Sequence, residues 1–136
     1  MLLRDPHPHL TNTASIFRLL SDIASARQEH VVTLSFDPDY RLIQQRTVSI
    51  GSLTAAIIHP REVFAGPLQD RAFGVIVAHN HPSGHVSPSQ ADIAITMQLI
   101  GAGELLGIPL YDHIIVAGKR YLSLLRYARH TLDASS

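Results

Sequence analysis

The stretch GVIVAHNHPSGHVSPSQAD, Gly74 to Asp92, decides how the rest of the chain is read. Gly74 to Ala78 is a short apolar run rich in β-branched residues, the pattern of a buried strand. His79 and His81 follow where that run ends. Residues two apart on an extended chain project to the same side, so a strand brings both imidazoles to one place, whereas a helix would point them apart. Pro82-Ser83-Gly84 then turns the chain, and a helix is expected to open at Ser89 with Asp92 in its first turn.

Two neutral imidazoles and one carboxylate make a three-ligand set suited to zinc, with a fourth position left for water, which is a catalytic rather than a structural pattern. Each half also has a plainer account. Histidines at a strand end can be a polar terminus, and Ser89-x-x-Asp92 has the spacing of a capping box. A cap explains Ser89 and Asp92 but not two histidines delivered to the same loop. The ordered set His79-x-His81, Ser89 and Asp92 resembles the H-x-H-x7-S-x2-D signature of the JAMM (MPN+) metalloproteases. The words around it resemble the bacterial RadC family in that family's order: HPREVF at His59 to Phe64, AHNHPSG at Ala78 to Gly84, LLGI at Leu105 to Ile108 and DHIIV at Asp112 to Val116. The similarity runs from Glu29 to Ser123.

The resemblance implies a single α/β domain of JAB/MPN (cytidine-deaminase-like) architecture, a mixed β-sheet flanked by helices. The site would open at the C-terminal end of the Gly74 to Ala78 strand. It implies zinc held by His79, His81 and Asp92. It also implies a general-base role for Glu29, which stands just ahead of the strand-like VVTLSF with only His30 between them, the place where the family carries that glutamate. Ser89 would help to stabilise an oxyanion; no G-x-S-x-G elbow surrounds it, so it is not read as a nucleophile. The implied reaction is attack of metal-activated water on a peptide or isopeptide carbonyl of a peptide or protein substrate. The family's long-standing DNA-repair label supplies the alternative, an accessory domain for DNA repair or protein binding with no hydrolysis of its own. Asp112 and His113 adjoin the strand expected beside the metal loop. Either one of them orients a ligand histidine from behind, or the two serve backbone hydrogen bonds at a strand start. His85 is expected to be an exposed loop residue.

The 136 residues suit one domain with a real core: a flexible arm over 1–12, the RadC-like JAB/MPN domain over 13–130 and a frayed tail over 131–136. Cysteine is absent, so any metal is held by nitrogen and oxygen. That absence excludes a zinc nucleobase deaminase, which needs P-C-x-x-C, and the missing H-E-x-x-H string excludes that class of metalloprotease. Eleven basic residues balance eleven acidic ones without a basic stripe, which disfavours a nucleic-acid partner. Lys119, Arg120, Arg126 and Arg129 read as a solvated helix face. The longer members of the RadC family that it resembles carry an N-terminal helix-hairpin-helix region, which is not expected within these 136 residues. No apolar stretch reaches the ~20 residues of a membrane span, and the start lacks the pattern of a signal peptide. The expected location is cytoplasmic, with no membrane partner.

Further expectations follow from periodicity. His7 and His9 lie exposed in the arm. A helix capped by Thr11 or Thr13 carries Ile16, Leu19, Leu20 and Ile23 on one face and ends around Arg27. Residues 31–50 form an antiparallel hairpin turning at Asp37 to Tyr40, and Leu53 to Ile58 form another strand. A helix starts at Pro60, with Gly66-Pro67 kinking it or shortening its first segment. Asp92 to Leu106 is a helix with an apolar stripe of Ile93, Met97, Ile100 and Leu106, in which Gly101 and Gly103 permit close packing. Gly107 and Pro109 end it. Tyr111 to Val116 is a strand, Gly118 a turn, and Tyr121 to Leu125 a last strand or strand-to-helix segment.

Overall fold

The computed structural model describes residues 13–51 and 58–127. The arm with His7 and His9, the Thr11 cap, all but Ile58 of the Leu53 to Ile58 strand, Arg129 and the tail lie outside these residues. In chain order the elements are α1 (Thr13–Leu19), α2 (Ser21–Ala24), β1 (His30–Phe36), β2 (Leu42–Ile50), α3 (Pro60–Val63), α4 (Ala65–Gln69), β3 (Gly74–Asn80), α5 (Gln90–Leu106), β4 (Leu110–Ala117) and β5 (Arg120–Ser123).

The strands form one mixed sheet in the order β2-β1-β3-β4-β5. Only β3 and β4 run parallel, and α5 supplies the crossover that a parallel pair requires. Every residue of β3 is buried, because a central strand covered on both faces needs apolar side chains at even and odd positions alike. One face of the sheet, with Val32, Leu34, Ile76, Ala78, Ile114 and Val116, packs against Ile16, Leu20 and Ile23. The opposite face, with Val31, Val75 and Val77, packs against Val63, Phe64, Ile95 and Leu99. The architecture is therefore a mixed α/β sheet between helical layers, consistent with a JAB/MPN domain.

Several boundaries differ from the expected ones for identifiable reasons. The first helix is two short helices broken at Leu20, and it ends at Ala24 rather than near Arg27. There the Gly118 N–H, from the turn between β4 and β5, donates to the Ala24 carbonyl at 2.7 Å. The hairpin turns as expected, with Asp37 Oδ1 accepting the Asp39 and Arg41 backbone N–H groups. The segment after His59 splits into α3 and α4 around Phe64. Pro67 has no N–H to offer the Val63 carbonyl and sits early in α4, where none is needed.

The stripe expected on α5 is not the buried one. Met97 is 57% exposed and Leu106 44%, and the covered face is Ile95, Thr96, Leu99 and Gly103. Gly103 decides this rotation: a Cβ there would stand 2.5 Å from the Ile108 carbonyl oxygen, so the helix meets the start of β4 along a side-chain-free line. Gly101, by contrast, is exposed with open space around it. Gly107 closes α5 in the left-handed conformation, φ 74°.

Candidate metal centre

The strand β3 runs through Asn80, two residues beyond the expected end, so His79 belongs to it and is 1% exposed. His81 follows directly, half-buried, its backbone N–H donating to the Val116 carbonyl at 3.0 Å. Asp92 arrives from the first turn of α5. The Nε2 atoms of His79 and His81 are 3.1 Å apart. His79 Nε2 lies 3.4 Å from Asp92 Oδ1, and His81 Nε2 lies 3.4 Å from Asp92 Oδ2. Among the described residues, these three form the group able to hold a metal ion, with ligand atoms within 4.8 Å of one another.

Cap and cluster are the same residues. Ser89 is the N-cap of α5, its Oγ accepting the Asp92 N–H at 3.0 Å while Asp92 Oδ2 accepts the Ser89 N–H at 2.9 Å. The capping box therefore fixes the carboxylate that faces the histidines.

Hydrogen-bond directions set the imidazole tautomers. The Thr96 hydroxyl donates to the Asp92 carbonyl at 2.7 Å, so its oxygen accepts from His113 Nδ1–H, also at 2.7 Å. His113 Nε2 is then an acceptor, and His79 Nδ1–H donates to it at 2.8 Å. His81 Nδ1–H donates to the His85 carbonyl at 3.0 Å. Both Nε2 atoms consequently present lone pairs to each other and to a carboxylate. Such a convergence is repulsive unless a positive charge sits within it, and two imidazoles with a carboxylate suit a divalent cation that accepts N and O ligands.

The electrostatics favour positive charge at the same point. Burial alone would raise the Asp92 pKa, but the contacts with His79 and His81 and the Ser89 N–H together hold it far below the usual carboxylate range. Asp92 raises the His81 pKa against the opposing effect of burial, with smaller help from the His85 carbonyl and the charge of Glu29. Complete burial pushes His113 well down, keeping it neutral as the tautomer chain requires.

Glu29 lies just before β1, half-buried. The antiparallel register pairs Val31 with His79, which brings the residues before β1 alongside the end of β3. Glu29 and His81 line one cleft of about 490 Å³ together with Arg27, Gln28, Gly51, Pro82 and Ser83. His85 is exposed and contributes its carbonyl, not its ring, to the site. Of the pair in the first half of β4, His113 is the one at hydrogen-bond distance from a histidine of that group. Asp112 turns instead to its own strand end, accepting from the His113 N–H at 2.8 Å and the Ser123 hydroxyl at 2.9 Å, and burial raises its pKa. Two further residues bear on the site without any mark in the sequence pattern: Thr96, one helical turn after Asp92, which bonds His113, and Asn80, between the histidines, which turns away from them to the segment before β1.

A mixed sheet that delivers His-x-His from a central strand end to an aspartate in the first turn of a crossover helix defines a JAB-type domain with a candidate metal centre. The family model of the RadC-like JAB domain matches residues 10–130. A UPF0758 protein of Methanosarcina mazei is 40% identical over 123 residues, covering 90% of this chain and 54% of its own length. A UPF0758 protein of Shouchella clausii is 50% identical over 103 residues, covering 76% of this chain and 45% of its own. The chain belongs to the RadC-like JAB domain family. It spans about half the length of the curated relatives it matches. No helix among the described residues is long and apolar enough to cross a membrane.

Proposed function

We propose that this domain is a zinc-dependent hydrolase that directs water onto a peptide or isopeptide carbonyl of a peptide or protein substrate in the cytoplasm. The observation that carries this reading is the convergence of two imidazole lone pairs and both oxygens of one carboxylate beside a cleft that also holds Glu29. His79, His81 and Asp92 would hold the ion. Zinc bound there would supply Lewis-acid polarisation and bring the pKa of a water toward neutrality.

The chain's own residues do the rest. The Glu29 carboxylate, on the cleft wall beside His81, takes the proton of the attacking water and returns it to the leaving amine nitrogen. Ser89 Oγ accepts the Asp92 N–H within the cap, so its hydroxyl proton remains available for a developing oxyanion. The His113 and Thr96 chain keeps the Nε2 of His79 unprotonated. The hairpin wall and the Pro82–Ser83 turn bound the space in which an extended substrate would lie.

The test is the metal content of protein purified without added zinc, measured beside Asp92→Ala and Ser89→Ala made identically. The expected result is a single zinc per chain in the native and Ser89→Ala proteins and its loss in Asp92→Ala. That pattern separates the carboxylate's role as a ligand from its role in the cap. A native protein that neither contains nor takes up zinc would overturn the proposal.

A further inference from the structure

Asn80 stands between the two histidines in sequence but faces the other side of β3, as strand alternation requires. It is fully buried. Its Oδ1 accepts the His30 N–H at 2.5 Å, and its Nδ2 donates to the Ala26 carbonyl at 3.2 Å and the Gln28 carbonyl at 2.9 Å. One amide thus uses both its donors and an acceptor lone pair on a single short segment. The nearest two of these bonds fall on the residues immediately before and after Glu29. The Glu29 carbonyl itself accepts the Gly51 N–H at 2.8 Å.

The sheet does not need these bonds to pair its strands. The ladder between β1 and β3 already runs from Phe36 opposite Gly74 to Val31 opposite His79, and the amide acts on the chain just beyond it. There Arg27, Gln28 and Glu29 form one wall of the cleft, and His81, Pro82 and Ser83 form part of another. Residue 80 joins the two.

We propose that Asn80 is a positioning residue: it fastens the Ala26–His30 segment, and with it the Glu29 carboxylate, to the end of the strand that holds His79 and leads directly into His81. Alternation along β3 then sets both halves of the site from one backbone, with odd residues reaching the metal face and the even residue holding the base in reach of it. The task assigned to Glu29 rests on the hydrolase reading, whereas the clamp is a mechanical property that can be measured without it.

The experiment uses Asn80→Asp, which keeps the acceptor oxygen and loses both donors, and Asn80→Ala, which loses all three bonds. The first readout is amide exchange at Gly51, whose N–H is held by Glu29 and not by residue 80. It is expected to accelerate about tenfold in Asn80→Asp, the effect of losing one or two buried hydrogen bonds. The second is the NMR signal of the Glu29 side-chain carboxyl carbon with Co²⁺ as the probe metal. Its paramagnetic shift should change in both variants while the Co²⁺ stoichiometry and the shifted His81 ring signals stay as in the native protein.

Unchanged Gly51 exchange and an unchanged Glu29 signal in folded Asn80→Asp would overturn the clamp. Loss of Co²⁺ binding together with those changes would overturn it too, because Asn80 would then support the whole site rather than the base. If the native protein takes up no Co²⁺, the hydrolase reading falls and Gly51 exchange alone decides for or against the clamp. If Asn80→Ala does not fold, Asn80→Asp carries the decision.

Discussion

Replacing His113 with phenylalanine tests the tautomer chain behind the candidate metal centre. His113 is fully buried and makes two side-chain hydrogen bonds, 2.8 Å to His79 and 2.7 Å to Thr96. A benzyl ring occupies similar space but neither accepts nor donates. The two lost bonds remove about 2 kcal/mol of stability at a typical net value of about 1 kcal/mol each. The effect on metal is separable. Without its acceptor, His79 is free to place its proton on Nε2, toward Asp92, and a cation must then displace that proton. Loss of such an outer partner costs about 10- to 100-fold in metal affinity, or about 1.4–2.7 kcal/mol.

The assay is zinc competition against a chromophoric chelator at fixed pH, with thermal unfolding of the metal-free proteins run in parallel. Asp112→Asn is the matched control. It disturbs the same strand through Ser123 and the backbone but leaves the chain from His79 to Thr96 intact, so its zinc affinity should equal the native value even where its stability falls. A folded His113→Phe protein that binds zinc as tightly as the native one would refute the reasoning.

Other expectations concern stability. Gly103→Ala should destabilise the protein by about 1–3 kcal/mol through overpacking against the Ile108 carbonyl. Gly101→Ala, with nothing near its added methyl, should stabilise it by about 0.5–1 kcal/mol; denaturant unfolding reads both. Ser89→Ala should lose about 1 kcal/mol of stability through the cap, whereas Ser89→Gly should lose only a few tenths, which makes the glycine variant the better probe of any chemical role for the hydroxyl. Asp70 is held below its ordinary pKa of 3.8 mainly by Arg46, with burial opposing and the Ser35 hydroxyl assisting. Its contribution is therefore present above that pH and is lost as pH falls through the lower folded value. Asp70→Asn should lower the melting temperature at neutral pH and flatten the acid side of the stability curve, as followed by circular dichroism.

What could be read from the residues, and what could not, divides along physical lines. The strand at Gly74 was legible because burial on both faces demands an unbroken apolar run, and the spacing through His79, Ser89 and Asp92 was legible because each sits at a fixed offset from an element boundary. The rotation of α5 was not: apolar residues at 93, 97, 100 and 106 suggested a stripe, but the helix settles where Gly103 removes a side chain, and a glycine contributes nothing to a hydrophobic pattern. The early end of the first helix depends on a backbone N–H at Gly118, remote in sequence. Thr96 and His113 meet across 17 residues, and a threonine within a helix does not announce its partner. Strand alternation placed Asn80 opposite the histidines, yet its partners at Ala26 and Gln28 are carbonyl oxygens, which every residue possesses.

The shared duty of Asp92 has a consequence for how the chain tolerates mutation. A screen that rewards only solubility and folding would see position 92 through the helix start and retain an acid or amide there. It would see His81, half open to solvent, hardly at all. Under such a screen the imidazole at 81 would drift while the carboxylate persisted, leaving a half-site that still folds. If the cluster holds an ion as proposed, a screen that also rewards metal uptake would hold the two positions together, so the difference between the two libraries would report directly on the purpose of the cluster.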